Sequence, residues 1–392
     1  MGRPRRRREE SRSQLSDRSK LWGLCSRAGK NEAMKIAIIG LSNSGKTTVF
    51  NALTRGTAQT AAFTSGRVEP NLASVKVPDH RLEALARIYK PRKVTAAAVQ
   101  YVDVNGFKGE GQGTELSAEI LGYIGTADAL LHVVRAFEDE RVPHPSGVVN
   151  PEDDLSGIDL ELIFSDLGII ERRLQRLEKE LKKISGQEKK TRIAEQDVLL
   201  RLKEALEEER PIRDLELSSL EEKLIRGYPF LSQKPILVVL NIGEAQIVSP
   251  PSLEYDHSHS LVVPLSARIE EELTQLEESD AREFMESLGI EEPARDRVIA
   301  ASYTLLGLIS FLTVGEDEVR AWTIRQGCVA VEAGGVIHSD IERGFIRAEV
   351  ISFEDLVESG SMASARKQGL VRLEGRQYVL QHGDISHFLF NV

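Results

Sequence analysis

A chain of 392 residues, 41% hydrophobic and 29% charged, has the balance of a soluble globular protein and the length for two or three domains. Its net charge of −10 excludes a general attraction to nucleic acid or anionic membrane, so any nucleic-acid partner has to be met by a local patch. Cys25 and Cys328 are far apart and allow neither a zinc spacing nor a disulfide framework, which points to a reducing, cytoplasmic location.

Residues 1–33 hold ten Lys/Arg against four Asp/Glu, with the run Arg5-Arg6-Arg7-Arg8 and no apolar segment of a secretory signal. Two readings stand: a nucleic-acid-binding tail, or an extension upstream of an effective start at Met34. Disorder is expected there in either case. Lys35 to Ile39 then reads as a short buried strand, followed by Gly40-Leu41-Ser42-Asn43-Ser44-Gly45-Lys46-Thr47-Thr48 and a helical segment from Val49 to Leu53. This is G-x-x-x-x-G-K-[ST] with a strand before it and a helix after it, the setting in which such a loop cradles phosphates. Gly40 and Gly45 let the backbone turn its N–H groups towards the phosphates, and the helix N-terminus adds partial positive charge. Lys46 is expected to reach the β- and γ-phosphates, and the Thr47 hydroxyl to ligate Mg²⁺.

The strand from Val99 ends in Asp103-Val104-Asn105-Gly106, a D-x-x-G pattern about 55 residues after Lys46. Asp103 would serve Mg²⁺, and the Gly106 N–H would sense the γ-phosphate. Phe107 stands where Ras-like enzymes place a water-orienting Gln, so no catalytic side chain is assigned, and slow intrinsic hydrolysis or a catalytic group from elsewhere is implied. From Leu160 to Ile184, apolar residues at 160, 163, 167, 170, 174, 177, 181 and 184 alternate three and four apart, a coiled-coil seam. A break at Ser185-Gly186-Gln187 and a second helix from about Lys190 to Glu209 suggest an antiparallel hairpin, either a projecting arm or a bundle packed on itself.

Pro235 to Leu240 reads as a buried strand followed by Asn241-Ile242-Gly243-Glu244. Guanine-binding relatives of this loop read N-K-x-D here; with Ile242 for Lys and Glu244 for Asp, ATP becomes the candidate, and a degenerate GTP site the alternative. Leu261 to Ala267 ends in Ser266-Ala267, the usual backbone support for a base. The uncharged stretch from Val298 to Gly315 is shorter than the roughly 20 apolar residues of a membrane span, and a buried helix is expected. Beyond it a small, mostly β module is expected, with turns at Gly327, Gly334-Gly335, Gly344 and Gly383-Asp384 and a last strand carrying Phe388, Phe390 and Val392. His338 reads as structural, Cys328 carries no mark of a reactive thiol, and Arg366, Lys367, Arg372 and Arg376 form either an RNA-binding patch or a solvated surface.

These motifs together resemble the Obg-like ATPases, the YchF-type branch of the translation-factor-related P-loop proteins. The resemblance runs from Met34 to Val392. Further residues that carry it are Val68-Glu69-Pro70-Asn71, Gly109-Glu110-Gly111-Gln112-Gly113, His132 to Asp139, Arg320-Ala321-Trp322-Thr323-Ile324, and Gly335 to His338 through Gly344 to Glu349. It implies an α/β P-loop sheet flanked by helices, an inserted antiparallel coiled-coil arm and a C-terminal β-grasp domain of TGS type. The expected boundaries are a basic extension at 1–33, the nucleotide-binding domain at 34–158 and 229–314, the arm at 159–228 and the TGS-like domain at 315–392. The resemblance implies ATP and Mg²⁺, a potassium ion held by Asn43, and association with the ribosome; a monomer without membrane contact is expected. Phosphates and base would be met by Asn43, Ser44, Gly45, Lys46, Thr47, Thr48, Gly106, Asn241, Ile242, Glu244, Ser266 and Ala267. Two departures touch the switch regions. The Mg²⁺-contacting hydroxyl of the first falls to Thr64, with Ser65 as the alternative, and the second is shortened, since Lys108 leads directly into Gly109-Glu110-Gly111.

Overall fold

The computed structural model describes residues 34–54, 71–104 and 118–391. In chain order β1 (Lys35–Ile39) leads into α1 (Lys46–Thr54); β2 (Asn71–Lys76), α2 (His80–Tyr89), β3 (Lys93–Thr95), β4 (Ala98–Asp103), α3 (Ala118–Thr126) and β5 (Ala129–Arg135) follow. The long α4 (Pro151–Glu180) and α5 (Gly186–Glu207) precede α6 (Ser219–Ile225), β6 (Ile236–Asn241), β7 (Ser260–Leu265), α7 (Ala267–Leu273), α8 (Glu278–Ser287) and α9 (Ala294–Leu305). The rest comprises β8 (Leu308–Thr313), β9 (Glu318–Arg325), α10 (Ala330–Ile337), α11 (Ser339–Gly344), β10 (Phe345–Ile351), α12 (Phe353–Ser359), α13 (Met362–Lys367), β11 (Arg372–Glu374) and β12 (Ile385–Phe390). Contacts divide the described residues into two compact units, 34–77 with 99–306 and 78–98 with 307–391.

The larger unit is built on a six-stranded sheet in the order β2-β4-β1-β5-β6-β7. The five strands from β4 to β7 in that order run parallel. A parallel sheet is covered on both faces, and accordingly every residue of β5 and β6 is buried. Parallel pairing also brings the carboxyl ends of β1, β4, β5 and β6 to one edge, where the loops after them meet.

Helix α4 starts on strong signals. The Asn150 side chain accepts from the N–H groups of Glu152 and Asp153, Pro151 opens the first turn, and Glu152, Asp153 and Asp154 favour its positive end. Its first half packs on the sheet through Leu155, Ile158 and Leu162. Its second half packs on α5, where Ile163, Ile170 and Leu177 meet Val198, Leu202 and Leu206. The three-four spacing therefore marks a real helix–helix seam, but α4 ends at Glu180, so Leu181 and Ile184 lie beyond it. Arg173 bridges the pair, donating from Nε to Glu195 Oε1 at 2.8 Å. Burial pushes the Glu195 carboxyl up, and hydrogen bonds from Arg173, Tyr228 and Arg192 outweigh it, holding the group down at about 2.

The smaller unit carries a mixed sheet, β11-β10-β12-β8-β9-β3. β8 and β9 form an antiparallel pair, β10 runs antiparallel to both β11 and β12, and β12 is parallel to β8. Helices α10 and α11 supply Ala330, Ala333, Val336 and Ile341 to a core with Phe311, Phe345, Val350 and Phe388.

Five sequence expectations change here. Residues 78–98, assigned to the nucleotide-binding domain, belong to the smaller unit, where Val94 of β3 pairs with Val319 of β9. The uncharged stretch from Val298 is not one helix: α9 ends at Leu305, Gly307 takes φ +62°, and a strand begins at Leu308. Gly334 and Gly335 make no turn but lie inside α10; a Cβ on them would come within 2.8 Å of Ile341 and 2.7 Å of Glu342, so their smallness lets α11 fold back onto α10. The module is mixed rather than mostly β, since α10 to α13 lie in it, and the last strand is not strictly two-faced: Phe388 is buried and Phe390 is 46% exposed.

Candidate nucleotide site

At the sheet edge, β1 delivers the loop from Gly40 to Gly45 to the start of α1. Gly40 sits at φ +140°, where a Cβ would stand 2.3 Å from the carbonyl oxygen of Val133 on β5. Gly45 sits at φ +93°, where a Cβ would stand 2.3 Å from Asn241 Nδ2. Both glycines are therefore demanded by close neighbours as well as by backbone angle. Lys46 folds across the loop, its ammonium donating to the carbonyl oxygens of Gly40 and Leu41 at 2.8 and 2.6 Å. The Ser44 hydroxyl is buried and has no hydrogen-bond partner among the described residues. Asn43, at φ +63°, donates from Nδ2 to the carbonyl of Pro143 at 3.0 Å.

The loop bearing Pro143 is itself braced. Arg135, buried at the end of β5, donates from Nε to the Phe137 carbonyl at 3.0 Å and lays its guanidinium over the Phe137 ring at 4.4 Å. Next to it, His144 and Asp154 are 2.9 Å apart. The motif from His132 to Asp139 thus shapes the wall of the phosphate loop, a role that its residue types did not announce.

The Thr47 hydroxyl donates to Asp103 Oδ2 at 3.3 Å, joining the start of α1 to the end of β4. A hydroxyl beside a buried carboxylate is an oxygen-only donor set suited to a hard divalent cation such as Mg²⁺. Thr48 is half-buried on the first turn of α1.

Asn241, 4% exposed at the end of β6, uses both ends of its amide: Nδ2 donates to the Ser44 carbonyl at 2.9 Å, and Oδ1 accepts from the Ala267 N–H at 3.1 Å. It ties the phosphate loop to the Ser266-Ala267 turn at the start of α7. Ile242 is 5% exposed and packs with Val134, Leu155 and Leu240 in the core. Glu244 is exposed in a 3-10 turn, Glu244–Gln246, fixed by a hydrogen bond from the Gly243 N–H to Gln246 Oε1 at 2.7 Å. Among the described residues its carboxylate has no hydrogen-bond partner. Thr64, Ser65, Gly106 and Phe107 lie outside the described residues.

Sequence reading gave no role to His132. It is fully buried on β5, and neither ring nitrogen has a hydrogen-bond partner among the described residues. Burial, opposed by Asp159 and helped by Lys46 and Arg213, lowers its pKa to about 4, so it is neutral at pH 7. Asp159 of α4 accepts from Arg213 at 2.8 Å and from the Tyr255 hydroxyl at 2.7 Å. In the smaller unit the basic cluster is largely engaged: Arg366 binds Glu349 at 2.8 Å, and Arg372 lies 3.5 Å from Glu374 and 3.7 Å from Asp384. His338 caps α11 by accepting from the Asp340 N–H, and Cys328 is buried in the core. No described helix is long and apolar enough to cross a membrane.

A family model described as "50S ribosome-binding GTPase" matches residues 35–242. A second, YchF-GTPase_C, described as a protein of unknown function, matches 308–391. The chain is 42% identical to the "Ribosome-binding ATPase YchF" of Bacillus subtilis, over 92% of this chain and 100% of that one. It is 35% identical to "Obg-like ATPase 1" of Caenorhabditis elegans over 94% of each chain. The solved structure of the Schizosaccharomyces pombe YchF GTPase superposes with a TM-score of 0.81 at 31% identity, covering 92% of this chain and 98% of that one. The chain belongs to the YchF/Obg-like ATPase family.

Proposed function

We propose that the chain is a Mg²⁺-dependent ATP hydrolase that works as a nucleotide switch on the ribosome. The phosphate loop supports the hydrolase reading. Lys46 is already at the loop, and exchanging the Gly40 and Leu41 carbonyls for phosphate oxygens needs only a side-chain movement. The orphaned Ser44 hydroxyl offers one further donor. Thr47 and Asp103 would hold Mg²⁺, with Thr64 of the first switch as a further hydroxyl; when bound, the ion supplies charge neutralisation on the phosphates. Asn43 would hold potassium through Oδ1, since its Nδ2 is engaged with Pro143. Gly106 would sense the γ-phosphate, and Phe107 leaves the attacking water without a side-chain guide, so turnover off the ribosome is slow.

The observation that carries the choice of ATP is the base motif. Ile242 is buried in the core, and Glu244 stands exposed where guanine-binding loops carry Asp. Asn241 supports the site from beneath as a strut. The partner reading draws on the relatives, whose names include "ribosome-binding". The helices α4 and α5 serve in this reading as an antiparallel coiled-coil arm, and the smaller unit as a β-grasp domain of TGS type; the protein acts as a cytoplasmic monomer.

A GTPase of the same fold is the second reading, favoured by the fission-yeast relative, which is called a GTPase. Equilibrium binding of fluorescent ATP and GTP analogues, with Mg²⁺ and with either K⁺ or Na⁺, separates the two. Preference for ATP is expected, and preference for GTP overturns the ATP assignment. Hydrolysis as fast without ribosomes as with them would sink the switch.

A further inference from the structure

In the smaller unit, β12 is an interior strand with an open half. On one side it pairs with β10 along its whole length, from Ile385↔Ile351 to Phe390↔Phe345. On the other side it meets β8 in parallel at a single register position, Ile385↔Leu312, and β8 stops at Thr313. In an antiparallel ladder, alternate residues turn their N–H and C=O groups to opposite sides. The Asn391 N–H points to β10, bonding the Gly344 carbonyl at 2.9 Å, while the Asp384 carbonyl points to β8, accepting from the Leu312 N–H at 2.8 Å. By that alternation, the backbone groups of Phe388 and Phe390 face the side where β8 has ended. Among the described residues no strand pairs with them.

The gap is a slot of about 450 Å³. Ile337 and Ile341 wall it from α10 and α11, Val314, Phe388 and Phe390 add further apolar surface, and Met362 and Arg366 of α13 line it together with His387 and Thr313. Tyr89 of α2 closes the Met362 side. Ser386 adds a second, independent feature: it is 3% exposed, lines the slot, and its hydroxyl has no hydrogen-bond partner among the described residues. Backbone donors and acceptors at strand spacing, unpaired among the described residues and set in a largely apolar slot, are complementary to one kind of occupant, an extended chain that continues the sheet where β8 leaves off.

We propose that the slot between the end of β8 and the open half of β12 binds an extended peptide segment of a partner protein by strand addition. The residues from Ser386 to Phe390 set its length at four to five residues, about 16 Å. The lining mixes these apolar residues with Thr313, Arg366 and His387, so the incoming strand carries polar positions among its apolar ones rather than a continuous apolar run. The nucleotide reading plays no part in this inference.

The test uses the full chain and a displayed library of random heptapeptides. Enriched sequences are expected to share a stretch of four or five residues rich in β-branched or aromatic types, with polar positions among them. A synthetic peptide of the enriched sequence should slow amide hydrogen exchange at Phe388 and Phe390 at least tenfold. N-methylation at alternate residues in one register should weaken its binding at least tenfold, and in the other register leave it within twofold. Val314→Arg, placing a charge at the slot, should weaken it at least tenfold; if that variant does not fold, the exchange measurement on the unaltered chain decides. No enriched sequence, unchanged exchange at Phe388 and Phe390, or indifference to N-methylation in both registers would each overturn the proposal. Self-association that protects the same amides without added peptide would assign the slot to a second copy and overturn it too.

Discussion

The two ends of the nucleotide site differ in how far the protein has already satisfied them. At the phosphate end, Lys46 bonds two loop carbonyls, Thr47 bonds Asp103, and Asn241 spans from Ser44 to Ala267. At the base end, Glu244 is exposed and has no partner among the described residues, and its neighbour Ile242 has been drawn into the core. The first end is held by bonds that exist before any ligand arrives, so its geometry tolerates little change. The second is a single side chain on a short turn, so it is free to vary without disturbing the fold. The names of the relatives divide between ATPase and GTPase, and the proposed reading places that choice at this second end.

Lys46→Ala tests the phosphate end most severely. Phosphate release is expected to fall by about 10²–10³-fold, the scale of removing one donor from developing charge. The urea midpoint should move little, because among the described residues the hydrogen bonds of the lysine ammonium go to carbonyls of its own loop. A large loss of stability would mean that Lys46 holds the loop together, and the contrast between the two ends would have to be redrawn.

Asn241→Ala is the next largest. It strips two buried backbone groups, the Ser44 carbonyl and the Ala267 N–H, of their partner, each costing about 1–3 kcal/mol. Urea unfolding should show that loss, and affinity for ATP and GTP analogues should weaken in equal proportion. An altered ATP-to-GTP ratio with stability intact would instead make Asn241 a base reader.

The phosphate end was legible in the sequence because its chemistry is local. A strand, two glycines at fixed spacing and a lysine before a helix define it within a dozen residues, and β1 and α1 lie where that pattern puts them. The base end was legible only in outline. That Asn241 is a strut depends on Ser44 and Ala267, which are brought to it by two parallel crossovers, and no pattern around residue 241 contains them. The same limit explains the misread glycines. Gly334-Gly335 looks like a turn in one dimension and is a helix–helix contact in three, because Ile341 and Glu342 return against it. Residues 78–98 carry no local sign that three of them, Lys93–Thr95, add a strand to a sheet whose other members begin at Leu308.

Glu244→Asp is the mildest change and the one that sharpens the comparison most. The side chain is exposed and has no partner among the described residues, so shortening it by one methylene should leave the urea midpoint within about 0.5 kcal/mol of the parent. If Glu244 meets the base, the Asp variant gains the carboxylate reach that guanine's N1–H and N2–H₂ edge requires. The ratio of ATP to GTP affinity should then move towards GTP by about tenfold, worth about 1.4 kcal/mol. A full reversal is not expected, because Ile242 stays in the core and no ammonium replaces it. Ile242→Lys would force a charge in among Val134, Leu155 and Leu240, so selectivity gained there would come with lost stability. Competition titrations of the Asp variant, with both nucleotides at equal Mg²⁺, give the ratio directly. No change in it would remove Glu244 from the base site and leave selectivity to the backbone around Ser266 and Ala267.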